Sequence, residues 1–217
     1  MTDIFREVEE DLKRDKALQL WHRYGKYVIA FAVATVVMTA AIVGWQNYRE
    51  SQRAADGRAF ALAMELVNKG DVPAASAAMT DIANRGGGYR VLAQLQQAGL
   101  KLRAGDRAGA AAIYDKIAAD GDEGQAFRDL ATILSALTTL NTADPSAIDK
   151  KLQPLLAADA PFRPSALELE GLLALKVGDL KTAKQTFQEL ADDAGAPSGL
   201  RQRATQILAW IGEQGGN

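Results

Sequence analysis

From Tyr27 to Tyr48 no charged side chain interrupts the chain, and the polarity pattern changes character on either side of that stretch. The 19 residues from Tyr27 to Trp45 form, at about 1.5 Å each, a helix of roughly 28 Å, close to the ~30 Å thickness of the hydrocarbon layer of a bilayer. The stretch predicts a transmembrane helix over 27–48. Trp21, Tyr24 and Tyr27 cluster at its entry and Trp45 and Tyr48 at its exit, where amphipathic rings favour the headgroup level. Two other readings compete with the span, a buried core helix and a cleaved signal peptide. Signal peptides place an apolar run of about 7–15 residues after a short basic start. Here 26 residues of mixed charge come first, and Met38-Thr39-Ala40 is a poor cleavage signal. The expectation is an uncleaved signal anchor.

Orientation follows from the flanking bases. Lys13, Arg14, Lys16, Arg23 and Lys26 precede the span within fifteen residues, against Arg49, Arg53 and Arg58 after it. That bias places residues 1–26 in the cytoplasm and 49–217 on the outer side, which in a bacterium is the periplasm. Within the leading segment Ile4, Phe5, Val8 and Leu12 have the spacing of one apolar helical stripe, and Thr2 or Asp3 is positioned to cap its start. Its six acids come mostly before its six bases, the order the helix dipole prefers. The segment is expected to be an amphipathic helix resting at the membrane or docking on a membrane partner.

After the span the alternation expected of strands is missing, Ala and Leu dominate, and apolar positions recur at three and four, so the remainder is predicted all-α. It also repeats. Gly70-Asp71, Gly105-Asp106 and Gly178-Asp179 each close one helical stretch and open another. Counting from the Gly, +5 is Ala75, Ala110 and Ala183; +9 is Met79, Tyr114 and Phe187; +12 is Ile82, Ile117 and Leu190; +13 is Ala83, Ala118 and Ala191. Gly ends a helix by taking the left-handed conformation, and Asp caps the next one. The small +5 residue lets the second helix approach the first, while +9 and +12 lie three apart on a buried face. Each unit is therefore a helical hairpin.

The second and third Gly are 73 residues apart, about twice the 35 that separate the first two. A degenerate copy fills the gap: a helix over 127–140, a turn at Asn141 to Pro145, and a second helix from Ser146 to Ala157 carrying Ile148, Leu152 and Leu155. The spacing predicts hairpins at 53–84, 89–120, 126–158 and 164–193. A last helix, Ser198 to Glu213, is expected to cap the stack, because a terminal repeat needs a polar outer face.

These offsets resemble the tetratricopeptide repeat, with Gly178-Asp179, Ala183, Phe187 and Gly171 meeting its turn and its small-large-small pattern. The resemblance implies an α-solenoid of about four hairpins. Joined to the mixed-charge leader, Leu20-Trp21, Tyr24-Gly25-Lys26 and a single span ending in Gly44-Trp45, the arrangement resembles the bacterial ancillary subunit of the Sec translocon. That resemblance implies an inner-membrane protein whose periplasmic repeat domain stands by the translocon exit and passes secreted polypeptides to periplasmic chaperones. Its partners would be Sec translocon subunits, chaperones or the secreted polypeptides themselves. A related repeat domain serves envelope proteins that coordinate cell division, which leaves a scaffolding role as the alternative. In repeats of this kind the first helices line a concave groove, here through Leu95, Leu102 and Arg103, then Ile133 and Leu137, then Leu172 and Lys176. Against that, the leucines pack between neighbouring units, and Arg103 and Lys176 complement the dipoles of the helices they end.

Composition narrows the chemistry. With 25 Lys and Arg against 27 Asp and Glu the net charge is -2, so no basic surface is on offer to nucleic acid. The chain has no Cys and one His, which removes thiolate chemistry and most metal sites. His22 sits between Trp21 and Arg23 as an interfacial residue. Asp120-Gly121-Asp122-Glu123-Gly124 begins like a calcium loop, but Gln125 and Ala131 stand where Gly and Glu are needed. Gly86-Gly87-Gly88 lacks the Lys-Ser/Thr of a phosphate loop. Groove acids such as Glu168 have no visible paired base. No metal, cofactor or catalytic constellation is expected, and a small-ligand receptor or an enzyme using the groove is the disfavoured alternative from another class.

Overall fold

The structure is a computed structural model that describes the backbone of residues 3–214 and, from residue 18 onward, the side chains other than those of 19, 28 and 214. The side chains of the expected stripe at Ile4, Phe5, Val8 and Leu12, its Thr2 or Asp3 cap, and the tail Gly215-Gly216-Asn217 lie outside the described residues. Among the described residues all regular structure is helical, as the pattern predicts. The chain divides into two compact units, Met1–Ala55 and Asp56–Asn217.

Helix α1 (Asp3–Lys69) carries the whole uncharged stretch of the first unit. This helix is long and apolar enough to cross a membrane, with a mean hydropathy of 2.3 over its most apolar window and none of that window buried. Phe31, Val36 and Met38 are all exposed, which speaks against a core helix buried among the described residues. The two polar residues in the middle of the stretch satisfy themselves. Thr35 and Thr39 donate their hydroxyls to the carbonyls of Phe31 and Thr35 at 2.9 and 2.8 Å, so neither hydroxyl needs a partner outside the helix. Cations stand over the flanking rings, Lys26 at 5.2 Å from the Tyr27 centroid and Arg49 at 5.6 Å from that of Trp45.

In the second unit, α1 from Asp56 onward pairs with α2 (Val72–Arg85), α3 (Arg90–Arg103) with α4 (Arg107–Ala118), and α7 (Arg163–Lys176) with α8 (Leu180–Asp192). The three joining turns are copies of one another. Gly70, Gly105 and Gly178 have φ of 77°, 80° and 80°, a region a side chain enters only with strain. The amides of Asp71, Asp106 and Asp179 donate back to Leu66, Lys101 and Ala174. Their carboxylates accept from the amides of Ala74, Gly109 and Thr182 at 3.1, 2.7 and 3.0 Å. One Gly and one Asp thus satisfy both loose helix ends.

Behind each turn the expected residues are inside. Ala75, Ala110 and Ala183 are buried, as are Met79, Tyr114 and Phe187 and then Ile82, Ile117 and Leu190. Each large side chain so buried contributes about 1.5–3 kcal/mol. The +13 alanines are half-buried. A further offset emerges from the packing: seven residues before the turn stand Ala63, Ala98 and Gly171, all buried, with Ala136 in the degenerate unit. The smallest of these, Gly171, faces the ring of Phe187. A Cβ placed on Gly171 would stand 2.7 Å from Cζ of Phe187.

The third unit corrects an expectation. Its first helix, α5 (Gln125–Thr139), forms as predicted, but the helix expected from Ser146 to Ala157 stops early. Helix α6 spans Pro145–Leu152 and gives way to a 3-10 turn, Gln153–Leu156. Pro154 is the cause, since it has no N–H for the helix ladder and its ring clashes with the carbonyl four residues back. Ile148, Leu152 and Leu155 still face inward, because the tighter turn keeps Leu155 on the buried side. Asp144 caps α6 through the amide of Ser146 at 2.8 Å, and Pro145 occupies the first helical position, where a missing N–H costs nothing.

Helix α9 (Ser198–Gln214) closes the stack. The core is a chain of clusters, each made of one hairpin and the first helix of its successor: Met79 and Ile82 with Ala93 and Leu100, Tyr114 and Ile117 with Ala131, Leu152 and Leu155 with Leu169, and Phe187 with Leu200 and Ile211. Nearest-neighbour burial of this kind defines a solenoid.

Candidate functional site

Polar contacts between units follow the same period. Arg90 on α3 reaches the loop before α5, with Nε 3.0 Å from Glu123 Oε1 and a guanidinium nitrogen 3.1 Å from Asp120. Those carboxylates raise the Arg90 pKa above its ordinary value, so the calcium-like run serves as the partner of an arginine. Lys151 on α6 donates to Asp115 Oδ1 on α4 at 2.7 Å and to Ser135 Oγ on α5 at 3.0 Å. A serine beside a lysine is one arrangement for acyl transfer. Ser135, however, is fully buried and gives its own proton to Asp115 at 2.5 Å, so the three groups tie helices together.

The residues singled out for the groove fall into two sets. Leu95 and Leu102 are half-buried against the second cluster, where they pack between units. Arg103 is exposed at the end of α3. Lys176 donates to the carbonyls of Leu140 at 2.8 Å and Ala143 at 3.3 Å; it closes the end of α5 rather than its own helix. Ile133, Leu137 and Leu172 do come together. They line a groove of about 700 Å³ whose walls are α5, α7 and α9. Ile133 and Leu172 form its floor as members of the packed core, whereas Leu137 is 52% exposed on the rim.

The third wall went unassigned in the sequence. Leu200, Arg203 and Ile207 of α9 face the groove, and Trp210, 50% exposed, continues the same helical face beyond them. Glu168 of α7 also lines it, and the expectation that Glu168 lacks a paired base is corrected. Arg203 grips it with two parallel bonds, Nε to Oε1 at 2.6 Å and a terminal nitrogen to Oε2 at 3.2 Å. Glu168 in turn raises the Arg203 pKa above its ordinary value. A signal for this pair was present: 35 residues separate the two, the spacing between the first two turn glycines, so they occupy equivalent places on consecutive first helices.

A smaller hollow of about 250 Å³ opens between α6, α7 and the start of α8, lined by Leu173, Ala174 and Val177 with Asp149 and Glu170. Burial, and then the charges of Asp149 and Glu189, push the Glu170 carboxyl up.

The family of tetratricopeptide repeat-like domains matches residues 19–208. All-helical hairpins joined by Gly-Asp turns and stacked by nearest-neighbour burial define a repeat protein of the interaction class, and the chain belongs to the tetratricopeptide repeat-like domain family. The matched range takes in the uncharged stretch of α1 as well as the hairpins. No curated protein and no solved structure matches the chain. Repeat domains of this family are generally scaffolds for protein–protein contact rather than enzymes.

Proposed function

We propose that this chain is a membrane-tethered protein-interaction subunit without catalytic activity, ancillary to the Sec translocon, that links secreted polypeptides to periplasmic chaperones at the bacterial inner membrane. In this reading residues 1–26 are cytoplasmic, 27–48 cross the membrane, and 49–217 form the periplasmic repeat domain. Trp21, Tyr24, Tyr27, Trp45 and Tyr48 hold the span at the two headgroup levels. The observation that carries the reading is an apolar helical stretch with none of its surface buried, in a chain that the repeat-domain family matches from residue 19 to residue 208. Such a stretch needs lipid around it, and a tethered repeat array gains local concentration without any added contact. The translocon is named on the resemblance of Leu20-Trp21, Tyr24-Gly25-Lys26 and Gly44-Trp45 and on the excess of bases before the span.

Gentle detergent extraction followed by affinity purification of the intact chain is expected to bring down translocon subunits, and recovery of the intact chain without them overturns the assignment. Sidedness has its own check. Protease added to spheroplasts is expected to digest the segment after residue 48, and full protection of that segment in washed membranes reverses the orientation.

A further inference from the structure

We propose that the hollow between α6, α7 and the start of α8 receives an arginine side chain from a basic, partly aliphatic segment of a partner protein. This surface is separate from the groove. Ser165, Glu168 and Leu172 of α7 line the groove, whereas Glu170, Ala174 and Val177 line the hollow, so α7 presents a second face. The inference rests on the reading of this chain as a protein-interaction module and names a further surface and the chemistry it selects.

Charge complementarity specifies the occupant. Asp149, Glu170 and Asp179 line the hollow, and among the described residues no Lys or Arg does. Asp179 is committed to its cap on Thr182, and Asp149 accepts one bond, from Gln153 Nε2 at 3.0 Å. Glu170 is half-buried, and no hydrogen-bond donor and no cation offsets the charges of Asp149 and Glu189 upon it. Glu189 itself is paired with Arg163. A cation that enters therefore meets carboxylates that lack a base, one of them already partly out of water. Arginine fits better than lysine, because its five N–H donors serve two carboxylates at once and its guanidinium gives up water more readily. Size points the same way. Ligand pockets run about 300–1,000 Å³, so a hollow of about 250 Å³ takes one long side chain rather than a whole small molecule. The floor suits the stem of such a side chain, since Leu173 and Ala174 are apolar. Val177 on the rim is 56% exposed and offers contact to an aliphatic neighbour of the arginine.

The test uses the full chain in nanodiscs of zwitterionic lipid and fluorescently labelled peptides, read by anisotropy. One peptide carries Leu-Arg-Leu between Ser and Gly flanks; in the other, citrulline replaces the arginine, keeping its shape without its charge. The arginine peptide is expected to bind, and the citrulline peptide to bind roughly tenfold or more weakly. Glu170→Gln removes the unpaired charge with little change of volume and is expected to weaken the arginine peptide by about tenfold, so that the two peptides then bind alike. Asp159→Asn removes an equal charge from an exposed residue outside the hollow and is expected to leave binding unchanged. The proposal is overturned if the arginine peptide fails to bind, if citrulline serves as well, or if Asp159→Asn costs as much as Glu170→Gln. Dimers of the chain that Glu170→Gln dissolves name a second copy as the occupant and overturn it too. A chain that brings down translocon subunits but fails with the peptides loses only this surface. Arginine-peptide binding without those subunits keeps the surface and removes the translocon assignment.

Discussion

Gly171 and Phe187 pack with no room for a side chain between them. In the helix interior Gly→Ala ordinarily gains about 1 kcal/mol, but here the new Cβ would stand 2.7, 2.8 and 3.0 Å from three carbons of a fully buried ring. The ring has nowhere to go, and overpacking of this kind costs about 1–3 kcal/mol. Gly171→Ala is therefore expected to destabilise the chain by up to about 2 kcal/mol in urea unfolding, and Phe187→Leu in the same chain to restore part of the loss. A stabilised Gly171→Ala shows that the ring adapts. The pair also shows how far sequence reaches. Gly171 stood out as a repeat residue, but its matching to Ala63, Ala98 and Ala136 emerged only from packing, because alanine is so common in this chain that one more conserved offset carries little weight. Glu168 was legible as a groove acid and Arg203 was not its evident partner, because the contact joins successive first helices and a period rather than a motif encodes it.

At the scale of the element, turn chemistry was the most legible feature, since Gly and Asp in sequence are jointly specific for ending one helix and beginning the next. Helix α6 was the least legible. The apolar spacing of Ile148, Leu152 and Leu155 suits an uninterrupted helix and a helix followed by a 3-10 turn equally well, and Pro154 decides between them. The caps make a pH prediction. Asp179 accepts from the hydroxyl of Thr182 at 2.6 Å and from its amide at 3.0 Å, and these two bonds hold its carboxyl below the usual carboxylate range. A carboxyl whose pKa is lower folded than unfolded contributes stability above the unfolded value and loses it as pH falls through the folded one. Asp179→Ala is expected to lower the melting temperature at pH 7, and the deficit relative to the parent to shrink as pH drops from about 4 toward the depressed pKa of Asp179. Thermal melts followed by circular dichroism at pH 7, 4 and 3 check this, and a deficit that grows on acidification contradicts it.

Across the whole repeat unit, the arrangement of the clusters decides how damage spreads. Each buries one hairpin against the first helix of the next, and none reaches from the first hairpin to the fourth, so stability is a sum of local terms joined at their borders. Phe187 lies at the centre of the last cluster, among Leu167, Ala183, Leu190 and Leu200. Truncating it leaves a cavity at a cost of about 3–5 kcal/mol. In a domain with one shared core that cost lowers the protection of every amide together. In this array it falls on α7, α8 and α9, whose opening frees the groove wall that carries Glu168 and Arg203, while α2 and α3 stay closed on Met79, Ile82 and Leu100. Hydrogen exchange on Phe187→Ala in nanodiscs is expected to show faster exchange at 163–214 with 72–103 unchanged. The same variant is expected still to melt cooperatively in its first two hairpins. Uniform acceleration from 72 to 214 means the clusters act as one core, and the groove then opens only when the whole array unfolds.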